Sequence, residues 1–208
     1  MKKKRLIDQI VNDAKSACSK LKSDNKRTLT YIKTYPAFIH YFQEIQIIEP
    51  HHLIIAANFT YGWMRTALTF KSQNISNSRF KDDIGAAVKI LNRAKSEGKI
   101  SDDELMTLKR LLNNSMVGTS KLLHFVNPKS FCIWDNKVYK YIHKKDLLAH
   151  RQTPQNYLED LKACREVVNQ KNRAKFRRVH ASINQALGYS VSPIRAAEIV
   201  MFMKRVRT

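Results

Sequence analysis

Two residues stand out for the chemistry they could do together: Lys121 and Asp135. An unprotonated amine attacks electrophilic carbon and can form a Schiff base. A carboxylate beside it stabilises positive charge that builds in a transition state. Their local context gives both a reason to face one cleft. An apolar helical pattern ends at Leu111-Leu112, Asn113-Asn114-Ser115 stops it, and Gly118 falls in the turn beyond. The spacing then predicts a short helix from Thr119 to Val126, closed by Asn127-Pro128, with Lys121 in its first turn. A further helix is predicted from Trp134 to His143, with Asp135 at its entry. Two helix starts can therefore aim an amine and an acid into a shared hollow. Outward-pointing amides at the first start, over Val117, Gly118, Thr119 and Ser120, suit a phosphate. An ordinary lysine is protonated at neutral pH, so burial or neighbouring cations must lower its pKa before it can attack.

Over residues 111–138 these motifs resemble the helix-hairpin-helix DNA glycosylase superfamily, and within it the 8-oxoguanine glycosylase fold. There the hairpin reads roughly Gly-Val-Gly-x-Lys and a later Val-Asp-x-x-Val opens the next helix. Here Val117-Gly118-Thr119-Ser120-Lys121 and Ile133-Trp134-Asp135-Asn136-Lys137-Val138 are similar to them. The resemblance implies Lys121 as the nucleophile at C1′ and Asp135 as the essential carboxylate. It implies excision of a damaged or modified base after flipping, with AP lyase activity where a Schiff base forms, and no cofactor. Met116 stands where the first hairpin glycine would be. One extra residue separates Gly118 from Lys121, so strict register puts Ser120 in the nucleophile's place. Two rivals of other classes stay open: a non-catalytic DNA- or RNA-binding helical protein, and a metal-dependent nuclease.

The charge agrees with a polyanionic partner. The 208 residues carry 38 Lys+Arg against 17 Asp+Glu, a formal net charge of +21. Nucleic acid is the default partner of such a field, with DNA favoured and RNA open. Arg173, Lys175, Arg177 and Arg178 lie beside an apolar stripe of Phe176, Val179, Ile183 and Leu187. One face of that helix packs and the other offers guanidinium groups to phosphate oxygens. Three isolated cysteines, Cys18, Cys132 and Cys164, have no zinc-ligand spacing and point to a reducing, intracellular setting. The start Met1-Lys-Lys-Lys-Arg5 leads into an amphipathic stretch rather than an apolar run, so neither a secretory signal nor a membrane span is expected. A monomer is expected.

Helical periodicity dominates and strand signals are weak, which predicts an all-α chain. It reads as one helical domain over 1–208, with two lobes at about 1–100 and 101–208 and the cleft between them. Leu6, Ile10, Ala14, Ala17 and Leu21 mark a first amphipathic helix; residues 23–30 read as a link, and Pro36 and Pro50 as helix openers. Residues 71–82 read as a polar loop. Ser101-Asp102-Asp103-Glu104 is a capping box, and Thr153-Pro154 and Ser192-Pro193 open two later helices. Tyr61, Trp63, His124 and Trp134 are candidates for a base pocket, with core packing as the competing reading. Adjacent His51-His52 do not share a helix face, and Asp82-Asp83 and Asp102-Asp103-Glu104 suit helix starts, so no metal site is expected.

Overall fold

The computed structural model describes residues 4–23, 26–70 and 78–204. Among these the backbone forms ten α-helices and no strand. In chain order they are α1 Lys4–Ser23, α2 Lys26–Glu44, α3 Pro50–Met64, α4 Ser78–Glu97 and α5 Asp102–Leu111. α6 Met116–Val126, α7 Asn136–His143, α8 Pro154–Val167, α9 Arg173–Leu187 and α10 Pro193–Met203 follow. None of the described helices is long and apolar enough to cross a membrane.

Local signals set most boundaries. The stripe Leu6, Ile10, Ala14, Ala17 and Leu21 is buried along α1, as its three- and four-residue steps require. The Ser101 hydroxyl accepts from the Glu104 amide at 3.3 Å while the Glu104 carboxylate accepts from the Ser101 amide at 2.8 Å, so the capping box forms in full. Thr153 and Ser192 each cap a helix whose first residue is proline. Gly188, at φ +79°, ends α9 in the left-handed conformation that glycine adopts at least cost.

Two expectations are corrected. Pro36 opens no helix; it lies inside α2, which starts at Lys26 and so absorbs most of the expected link at 23–30. Proline has no N–H to give the Ile32 carbonyl four residues back. The Tyr189 hydroxyl donates to that carbonyl instead, at 2.7 Å, so it is not left unsatisfied. The expected loop at 71–82 is shorter too: 71–77 lie outside the described residues, and Ser78 onward is helical.

The helices pack as two groups. α2 to α6 pack on one another, while α1 packs on α8, α9 and α10, and α7 packs on α10. α5 against α8 joins the groups, and one continuous apolar cluster runs through both. The division expected near residue 100 therefore does not describe the packing, because α1 leaves the first half of the chain and docks on the last two helices. Amphipathic helices are placed by the faces they bury, not by their order in the chain.

Candidate active site

The hairpin is built differently from the sequence expectation. Asn113 and Asn114 make the turn, at φ +52° and +55°, a conformation that asparagine tolerates better than most residues. Ser115 then caps α6, its hydroxyl accepting from the Gly118 amide at 3.0 Å. Because α6 begins at Met116, Gly118 sits inside its first turn and Lys121 in its second. Glycine is needed at 118 for closeness: a Cβ there would lie 2.7 Å from the Tyr61 hydroxyl oxygen. That hydroxyl donates to the Leu112 carbonyl at 2.6 Å and closes the end of α5. Tyr61 and Ser115 thus cover the helix start expected to hold a phosphate. Gly118, Thr119 and Ser120 are buried and Val117 is half-buried, so the proposed amide cradle is corrected to a packed helix entry.

What the hairpin does is hold a second segment. Ser120 Oγ accepts from the Trp134 amide at 3.0 Å and lies 2.9 and 3.2 Å from the Val117 and Trp134 carbonyls, either of which can take its one proton. Residues 131–134 are all buried and their backbone is tied down repeatedly. The Phe131 carbonyl accepts from His124 Nδ1 at 2.8 Å, the Cys132 carbonyl from the Tyr157 hydroxyl at 3.3 Å, and the Ile133 amide donates to the Glu198 carboxylate. Such satisfaction is what buried backbone outside regular structure requires. Ser120 is therefore scaffold; its hydroxyl is enclosed and fully engaged, which leaves it unable to act in the nucleophile's place that strict register would give it.

Lys121 and Asp135 are the next residues on these same two segments, and both line one cavity of about 410 Å³. Trp63, Tyr31, Arg195 and Phe202 are among the other residues of its wall. The cavity draws on α2, α3 and α6 from one group of helices and on α1, α7 and α10 from the other. The Lys121 ammonium stands 5.6 Å from the centre of the Trp63 ring and makes no hydrogen bond or ion pair among the described residues. Burial holds its pKa below the usual lysine range; the Asp135 charge pulls it back up and the Arg195 charge pushes it further down. Asp135 caps α7, one carboxylate oxygen accepting from the Lys137 and Val138 amides at 3.0 Å each. The other oxygen has no hydrogen-bond partner among the described residues. An amine relieved of part of its proton affinity and an acid fixed by its helix thus share one hollow.

From this wall inward, beginning at Arg195, runs a charged layer the sequence reading missed. Arg195 Nη1 donates to Glu198 at 3.1 Å, and its guanidinium sits 4.6 Å from the centre of the Tyr35 ring. Desolvation drives the Glu198 carboxyl up to about 8, against the opposing pull of Arg195 and the Ile133 amide. His124 donates from Nδ1 to Phe131 and accepts at Nε2 from the Tyr35 hydroxyl at 2.7 Å. That is the neutral tautomer, and burial beside Arg195 pushes its pKa down to about 3. An arginine and a glutamate three apart in the otherwise apolar run Pro193–Met203 were the available signal, since charges inside such a run must pair.

Of the four pocket candidates, Trp63 alone lines the cavity. Tyr61 is sealed against Gly118. His124 is enclosed between Tyr35 and Phe131. Trp134 is fully buried, donating from its indole to Asp160 at 2.8 Å. Bulky aromatic side chains gain most by burying their whole surface, and these three do so. Arg173, Lys175, Arg177 and Arg178 are exposed on α9, outside the cavity wall. Asp102 and Glu104 serve helix and surface contacts, with Gln155 and Arg93 respectively. His51 and His52 correct a smaller expectation: their rings lie 3.8 Å apart, because both turn toward Glu49 at the start of α3. Among the described residues these three form the one converging group of metal-ligating side chains. It is not part of the cavity wall, and the positive end of α3 opposes a cation there. Comparison with known proteins finds no matching family model, no matching curated protein and no matching solved structure.

Proposed function

We propose that this protein is a DNA glycosylase with lyase capability, acting through Lys121 and Asp135. The observation that carries the reading is the Lys121 amine, without a hydrogen bond or ion pair among the described residues and with its proton affinity lowered by burial, sharing a cavity with a carboxylate anchored at a helix start. The amine attacks C1′ of a flipped nucleotide, the bond to the base breaks, and the base leaves with the electron pair. The Asp135 charge stabilises the cationic sugar while this happens. Ring opening then leaves a Schiff base between Nζ and C1′, from which elimination at C3′ cuts the strand. Trp63 and Tyr31 supply an aromatic wall, and flipping costs a few kcal/mol that stacking there offsets in part. The net charge of +21 favours a DNA partner.

Borohydride reduction on a duplex carrying an abasic aldehyde tests the reading, since it converts the Schiff base into a stable amine. A covalent adduct is expected with the wild-type protein and none with Lys121→Gln. DNA binding without any adduct overturns the lyase step and leaves monofunctional hydrolysis or the non-catalytic binder, and strand cutting abolished by a chelator replaces the proposal with the nuclease.

A further inference from the structure

A second concavity lies apart from the catalytic candidate. α1 and α9 pack side by side, and between them runs a groove of about 640 Å³ lined by Val11, Ala14, Lys175, Arg177, Arg178 and Ser182. Lys175 pairs with Asp8 of α1. Arg177 and Arg178 are exposed and make no hydrogen bond or ion pair among the described residues. The first turn of α9 carries no acid to offset them. A concave surface lined by unpaired guanidinium groups and a hydroxyl matches the oxygens of a phosphate backbone, to which arginine donates two parallel bonds.

We infer that the α1–α9 groove is a nucleic-acid backbone site whose Arg177 and Arg178 hold phosphates. The claim stands on the groove alone and is independent of the glycosylase reading.

Fluorescence anisotropy with an undamaged duplex, titrated between about 50 and 200 mM salt, separates the two. Replacing both groove arginines, Arg177→Ala with Arg178→Ala, is expected to lower the log–log salt slope by about 2. A control pair of exposed lysines outside either concavity, Lys89→Ala with Lys99→Ala, removes the same charge and should leave the slope near the wild-type value. Lys121→Gln should keep the full slope while losing the borohydride adduct. Equal slopes for the groove variant and the control overturn the groove and leave the glycosylase reading standing. Loss of binding to polyglutamate or to anionic phosphatidylserine vesicles, with DNA binding intact, assigns the groove to an acidic protein or a membrane surface and overturns the nucleic-acid site.

Discussion

Ser120 and Lys121 are neighbours on α6, and Trp134 and Asp135 are neighbours on the segment that crosses it. Ser120 and Trp134 are wholly buried and bonded to each other. Lys121 and Asp135 reach a cavity, and the amine has no hydrogen-bonding partner among the described residues. One residue of displacement separates a scaffold from the proposed reactive site. The difference teaches how precision is obtained: the clamp fixes the relative position of two backbones, and the groups that follow inherit that position without being bonded themselves. A lysine left unpaired beside buried surface keeps a lowered pKa, whereas a hydrogen bond to a nearby carboxylate would have raised it.

The largest effect expected from breaking the reactive pair, short of removing Lys121, comes from Asp135→Asn. Asparagine caps helices about as well as aspartate, so α7 should keep its stability. The lost charge should slow adduct formation by about 10²–10³-fold in single-turnover trapping. The sign of the pH effect is fixed as well. Asp135 favours the charged form of Lys121, so removing it lowers the lysine pKa further. The rise of trapping rate with pH should then occur at lower pH in the variant than in wild type. A shift to higher pH would mean that the two groups do not act on each other.

Breaking the scaffold pair should cost stability instead of chemistry. Ser120→Ala leaves the buried Trp134 amide without its acceptor and should destabilise the fold by about 1–3 kcal/mol in urea titration. Adduct formation at low temperature should survive. A variant of unchanged stability would show that Ser120 is not the clamp. The smallest effect concerns the layer behind both pairs. Glu198, with Arg195, the Ile133 amide, His124 and the Asp135 charge around it, has a folded pKa raised from 4.5 to about 8. The native state therefore holds a proton that the unfolded chain releases, and stability from this group falls as pH rises through that window. His124 acts in the opposite sense: lowered from 6.5 to about 3, it removes stability as pH falls through its own window. Urea midpoints at pH 6 and pH 9 should differ in wild type and converge in Glu198→Gln. An unchanged difference would place the alkaline loss elsewhere.

Much of this was legible beforehand, and particular residues show where legibility stopped. The capping box at Ser101, the proline-led starts at 154 and 193 and the Gly188 stop are local, so each could be read from adjacent residues. Pro36 was misread because the group that satisfies Ile32 is Tyr189, more than a hundred and fifty residues away. Gly118 was misread as a turn because the reason for its missing side chain is Tyr61, on another helix. Arg195 and Glu198 were passed over because a charged pair in an apolar helix announces burial but not what it faces.

The order of the helices and many of their ends, their apolar faces, the excess of positive charge and the choice of Lys121 and Asp135 as the proposed reactive pair came from the sequence itself, because these depend on periodicity, capping and residue chemistry over short stretches. Tertiary structure decided that Ser120 is enclosed while Lys121 reaches a cavity, that three of four aromatic or imidazole candidates are core, and that α1 and α9 border a basic groove. Those outcomes depend on which distant side chains fill the space around a residue, and close packing of the interior settles that only when the whole chain is assembled.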